Sequence, residues 1–153
     1  MVLGILAKKY HSMQAAALNM AAPAGVFDSG HALSQAQTVH RSATQQLAMA
    51  QRFKTVPKPL LAAEKVGIAR NVGDGPWPLN GMRHPAAGDT SGWYVWAGSE
   101  VSAADDFFVP LHVGHLEKWC PAALPFLALG PGWRFLIAPE YEDVWFDETL
   151  LRI

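Results

Sequence analysis

Thr90-Ser91-Gly92-Trp93-Tyr94-Val95-Trp96-Ala97-Gly98-Ser99-Glu100 carries a dense run of large side chains between two glycines. Aromatic and β-branched residues pack well on a pleated, half-buried surface, and Gly92 and Gly98 punctuate the run. Trp93-Tyr94-Val95-Trp96 therefore reads as a strand. Successive side chains of a strand point to opposite faces. Trp93 and Val95 then share one face of a sheet, and Tyr94 and Trp96 share the other. Both faces are apolar, so either helices cover both or one face meets a partner.

Outward from this strand the chain continues as short strands and turns. Lys65 to Val72 reads as an earlier strand, followed by the Gly/Pro-rich loop Gly73–Pro78 and, further on, the loop Pro85–Ser91. Trp133–Ala138 and Asp143–Phe146 read as two strands joined by the turn Pro139-Glu140-Tyr141-Glu142. Leu111–Trp119 reads as a short helix and Pro121–Leu127 as another.

The texture upstream is helical. Residues 3–21 are rich in strong helix formers and stop at Pro23 and Gly25. A second helix runs from Leu33 or Ser34 to about Lys54, with Leu33, Ala36, Val39 or His40, Ala43, Leu47, Ala50 and Phe53 at three- and four-residue steps. Val56-Pro57-Lys58-Pro59 ends it, because a residue before proline is pushed out of the helical region. The expected organisation is a helical N-terminal segment, 1–58, and an α+β domain, 59–153. That domain is expected to be a mostly antiparallel sheet with short helices.

Half of the 153 residues are hydrophobic and 16% are charged, which excludes a charge-solvated disordered chain. The net charge of −1 argues against a protein that coats nucleic acid or an anionic membrane. It hides an asymmetry. Residues 1–70 carry eight basic side chains against Asp28 and Glu64, whereas residues 71–153 carry four against eleven acids. All six tryptophans, from Trp77 to Trp145, also lie in the second part. The apolar-leaning stretch Ala15–Val26 is too short to span a bilayer and is broken by Asn19, Pro23 and Gly25. Lys8 and Lys9 follow the first apolar run instead of preceding it, against a secretory signal, so a cytoplasmic protein is expected.

Chemical motifs are sparse. Cys120 is the one cysteine, so neither an intrachain disulfide nor a Cys-rich zinc site is possible, and a small buried thiol is expected. His112 and His115 stand at i and i+3, on one face of the expected helix, with Glu117 and Cys120 near. They read either as a metal pair or as histidines that pack a short helix; the HExxH pattern is absent. Asp105-Asp106 reads either as paired carboxylates or as a cap or loop before Phe107-Phe108. No nucleophile elbow surrounds Ser91, and the glycines of Gly73-Asp74-Gly75 match neither a Walker loop nor a dinucleotide fingerprint. No catalytic residue, metal or cofactor is assigned.

A resemblance enters on several blocks. Thr90 to Glu100 resembles the core of the bacterial immunity protein 33 domain family, found in polymorphic-toxin and type VI secretion systems. Asp105-Asp106-Phe107-Phe108, Pro110 to Leu116 and Cys120-Pro121 look like its middle. Leu129-Gly130-Pro131-Gly132-Trp133-Arg134-Phe135-Leu136 and Tyr141-Glu142-Asp143-Val144-Trp145-Phe146-Asp147 look like its end. The likeness spans about residues 64–151. It implies a non-enzymatic protein that binds and neutralises a cognate toxin, and it carries no toxin-contact residues.

The contact residues expected here come from charge. Acids steer a cationic partner, and aromatic side chains anchor interfaces. Asp105, Asp106, Glu140, Glu142, Asp143, Asp147 and Glu148 are expected to face a basic patch on the toxin, with Tyr141 as the anchor. Neither nucleic acid nor membrane is expected as a partner, and a homodimer through the Leu33/Leu47/Phe53 stripe is an open alternative use of the N-terminal helices. Two other classes remain: an adaptor of a secretion apparatus that docks through those helices, and a metal enzyme built on His112, His115 and Asp105 or Asp106.

Overall fold

A computed structural model of the chain describes residues 35–73 and 75–152, with side chains from residue 41 onward. The helix expected over residues 3–21 lies outside the described residues. The second helix is α1, Gln35–Arg52. The strands are β1 (Lys65–Ala69), β2 (Leu79–Arg83), β3 (Thr90–Ala97), β4 (Phe108–His112), β5 (Trp133–Ala138) and β6 (Tyr141–Phe146). A second, single-turn helix, α2, covers Leu116–Trp119, and 3-10 turns occupy Arg70–Val72, Val113–His115, Pro121–Phe126 and Glu148–Leu151.

The six strands form one sheet in the order β4-β1-β3-β2-β5-β6. Only β1 and β3 run parallel; every other neighbouring pair is antiparallel. The expected mostly antiparallel α+β domain is what the chain forms. The quoted stretch becomes β3 at its centre, where a strand of large apolar residues removes most surface from water.

Trp93 and Val95 face the main core with Val66, Ile68, Leu79 and Phe135 from the sheet. Leu116, Cys120, Ala123, Phe126 and Leu127 close it from above. The Trp93 indole donates to the Leu127 carbonyl at 3.1 Å, and the Phe126 and Phe135 rings stack at 4.4 Å. Fully burying each such side chain stabilises by about 1.5–3 kcal/mol. On the opposite face Trp96 is also buried, and Tyr94 stands edge-on to Phe108 at 5.1 Å and to His84 at 5.8 Å.

The strand expected over Lys65–Val72 ends at Ala69, where a 3-10 turn takes over, and two strands are present that the sequence reading does not expect. β2, Leu79-Asn80-Gly81-Met82-Arg83, contains residues that strands usually avoid. Tertiary contacts override that preference. The Asn80 amide donates to the Gly98 carbonyl at 2.9 Å, and the Phe135 ring lies over Gly81 so closely that a Cβ there would fall 2.1 Å from it. β4 replaces the first part of the helix expected over Leu111–Trp119, leaving helical structure to Val113–Trp119. Pro110 sits within β4 without disrupting the sheet because β4 is an edge, where a missing N–H goes unnoticed.

The buried Arg83 ties these layers together. Its guanidinium donates to the carbonyls of Ser91 (3.1 Å), Lys58 (3.1 Å), Leu127 (3.4 Å) and Leu129 (2.6 Å). Burial lowers its pKa, and the field of Glu64 partly restores it. The segment after α1 is thereby fixed to the sheet domain, where Lys58 also donates its backbone N–H to Ala128 at 2.7 Å.

Candidate functional site

α1 turns Met49 and Ala50 inward, Phe53 follows just past its end, and the Gln46 amide donates to the Leu124 carbonyl at 2.9 Å. Ala43 and Leu47, which the spacing placed on the same stripe, face solvent. Alanines weigh little in such a count; the Gln46 bond and the Phe53–Trp133 ring contact at 5.4 Å set the helix rotation instead. This rotation leaves a channel between α1 and the β5–β6 hairpin.

That channel is an open groove of about 710 Å³. Its floor is apolar, made by Met49, Pro125, Phe126 and Ile137, and its rim is polar, made by Gln45, Arg52, Glu140 and Glu142. Arg52 and Glu142 form an ion pair across it. Tyr141 closes the hairpin end and is 41% exposed. Beyond the other end, Phe53, Trp133 and Phe146 form an aromatic row, Trp133 meeting Phe146 at 5.6 Å. Phe146 is 50% exposed. Its ring lies over Gly132, whose φ of 91° and lack of a Cβ make that approach possible.

The hairpin register sorts the acids that the sequence read as one patch. Glu142, Val144 and Phe146 stand opposite Ile137, Phe135 and Trp133, on the α1 side of the sheet. Asp143 and Trp145 stand opposite Leu136 and Arg134, on the other, and Tyr141, paired with Ala138 where β6 leaves the turn, borders the hairpin end of the groove. Glu140 lies at the exposed hairpin turn with φ 59°.

Asp147 accepts hydrogen bonds from Arg134 (2.9 Å) and from the Thr149 backbone N–H (3.0 Å), starting the last 3-10 turn. Partial burial would raise its pKa, but the Thr149 and Arg134 hydrogen bonds outweigh that and hold the carboxyl below its ordinary range. Arg134 also lies over the Trp145 ring at 5.4 Å. Glu148 pairs with Arg152 at 3.2 Å on the surface.

Asp105 and Asp106 are exposed in the turn before β4, at the opposite edge of the sheet from β6. Five strand spacings, roughly 24 Å, separate the two edges. The structure therefore brings Glu140, Tyr141 and Glu142 to the groove and leaves Asp105 and Asp106 far from it.

The histidine pair also looks different in three dimensions. His112 ends β4 and does not share a helix with His115, although their rings lie 6.1 Å apart and both are exposed. The strand β4, Phe108–His112, roughly 13 Å long, lies between His112 and the turn that holds Asp105 and Asp106. Among the described residues, no group of three or more His, Cys, Asp or Glu gathers as it would around a metal ion. Cys120 is buried between α2 and the Pro121–Phe126 turn, and burial pushes its thiol up to about 11. It packs as expected, and its thiol stays protonated at neutral pH.

Sequence reasoning missed the α1 wall of the groove. Arg52 lies 90 positions from Glu142 and carries no motif. The Trp133–Phe146 contact depends on a hairpin register the sequence reading does not place: the turn tightens to Pro139-Glu140 and β6 starts at Tyr141 instead of Asp143, which pairs Trp133 with Phe146.

A family model of the Imm33-like domain matches residues 45–147. The chain belongs to the Imm33-like domain family. The match begins upstream of the blocks that carried the resemblance, so this Imm33-like domain includes the C-terminal part of α1 with Gln45, Met49 and Arg52, and with them the whole groove. No curated protein and no solved structure matches the chain. Among the described residues no helix is long and apolar enough to cross a membrane.

Proposed function

We propose that this Imm33-like domain is an immunity protein that binds a cognate secreted toxin and neutralises it by direct contact, without chemistry of its own. Membership of an immunity-protein family supports the role. The single structural observation that carries the site is the groove between α1 and the β5–β6 hairpin, with its apolar floor, exposed aromatic ends and acidic rim. Central apolar contacts inside a polar rim are the usual anatomy of a protein interface.

The toxin presents a basic surface to Glu140, Glu142 and Tyr141, with Asp143, Asp147 and Glu148 extending the negative field along the hairpin. Asp105 and Asp106 contribute long-range steering from the far edge. Nucleic acid, membrane and cofactor have no part in this reading. A type VI or polymorphic-toxin effector acting in the cytoplasm is the partner of choice, and a dimer through the N-terminal helices is compatible with it.

The test is co-expression with the neighbouring open reading frame. The reading expects that frame alone to arrest growth, this chain to restore growth, and the two to co-purify. A harmless neighbour that does not co-purify would reject it.

A further inference from the structure

The two edges of the sheet are protected differently. β4 contains Pro110, which offers no backbone N–H to an incoming strand. β6 contains no proline, pairs with β5 in unbroken register from Trp133↔Phe146 to Ala138↔Tyr141, and among the described residues has no strand on its outer side. In an antiparallel pair, alternate backbone groups point outward from each strand. Among the described residues, the outer side of β6 is thus a template for one more strand, and the guards beside it are charges.

That guard is selective by sign. Glu140 and Glu142 stand at one end of β6, Asp147 and Glu148 just past the other. A second copy of this chain is a poor occupant: antiparallel self-pairing centred on Glu142 sets that residue against its own copy, and pairing centred on Val144 sets Glu140 against Glu148. Directly opposed like charges destabilise a strand pair. A cationic strand meets the reverse situation. On the α1 side of β6 the order Glu142, Val144, Phe146 asks for a cation followed by apolar side chains. Arg52 already neutralises Glu142 from within the molecule, as an outside cation would.

We infer that the outer edge of β6 accepts an extended, Lys- or Arg-bearing segment of the partner protein as a seventh strand, whose cation competes with Arg52 for Glu142. The inference rests on the toxin-binding reading for the source of that segment, and on the sheet for its chemistry. Main-chain hydrogen bonds supply affinity in this mode, and side-chain pockets supply selectivity.

The experiment uses the full chain and a capped peptide whose one strand face reads lysine, valine, valine, with serine at the alternate positions; the control carries glutamate in place of the lysine. Backbone amide exchange is followed residue by residue. At a lysine peptide concentration about ten times its Kd, the outward amides within residues 141–146 slow about tenfold. The glutamate peptide leaves them unchanged. Glu142→Gln weakens the lysine-peptide effect, and Arg52→Gln strengthens it, at unchanged melting temperature. Protection that falls elsewhere, that is equal for both peptides, or that is absent overturns the inference. The two readings fail separately. A harmless neighbouring gene with intact β6 protection removes the toxin and keeps the edge. Full rescue of growth with no β6 protection removes the edge and keeps the toxin.

Discussion

Arg83 and Arg52 are both cations held by oxygen, and they teach opposite lessons. Arg83 is buried, lies over Trp93 at 6.0 Å and spends its donors on four backbone carbonyls from three separate segments. Nothing from outside can replace it. Arg52 is well exposed and meets one carboxylate, Glu142, across an open groove. Exposed pairs of this kind are worth about 0–1 kcal/mol, so another cation can take its place at little cost. The first arginine belongs to the fold, and the second marks a surface where exchange with a partner is cheap.

The comparison breaks most sharply at Arg83. Arg83→Met leaves four carbonyls short of a donor and is expected to cost about 3–5 kcal/mol, read as a lower midpoint in denaturant. A melting curve like that of the parent chain would show that the clamp is dispensable. Asp147 gives a smaller effect with a defined sign. Its folded pKa is depressed, so its stabilising contribution is complete above the unfolded value near 3.9 and is lost as pH falls through the folded value. Asp147→Asn therefore destabilises at neutral pH, and its difference from the parent narrows in acid. A gap that stays constant from neutral pH to below pH 3 would assign the effect to packing. The smallest change in stability is expected at the groove. Glu142→Lys should shift the folding free energy by no more than about 0.5 kcal/mol while it abolishes lysine-peptide binding. A large loss of stability would move Glu142 from the interface to the fold.

Much of this fold was legible in the sequence because its local signals agree. Trp93-Tyr94-Val95-Trp96 between glycines and the two runs flanking Pro139-Glu140 could hardly be anything but strands. β2 and β4 were hidden because their reasons are tertiary: Asn80 bonds to Gly98, Gly81 admits Phe135, and Pro110 is harmless only on an edge. The site was legible as charge and illegible as geometry. Counting acids found Glu140, Glu142, Asp143 and Asp147 together, but strand alternation sends Glu142 and Asp143 to opposite faces, and Arg134 engages Asp147. The groove's other wall comes from a helix distant in sequence, whose rotation depends on Gln46 and Phe53 meeting partners far along the chain.

The most direct test of the account is the association rate of this chain with the product of the neighbouring gene, measured at low and high salt for the parent and for a Glu140→Lys/Glu142→Lys variant. The account predicts fast, salt-sensitive association for the parent, and for the variant a rate slower by about tenfold or more with most of the salt dependence gone, at an unchanged melting temperature. Equal rates for the two proteins, with equal response to salt, would contradict the assignment of the β5–β6 margin as the binding surface.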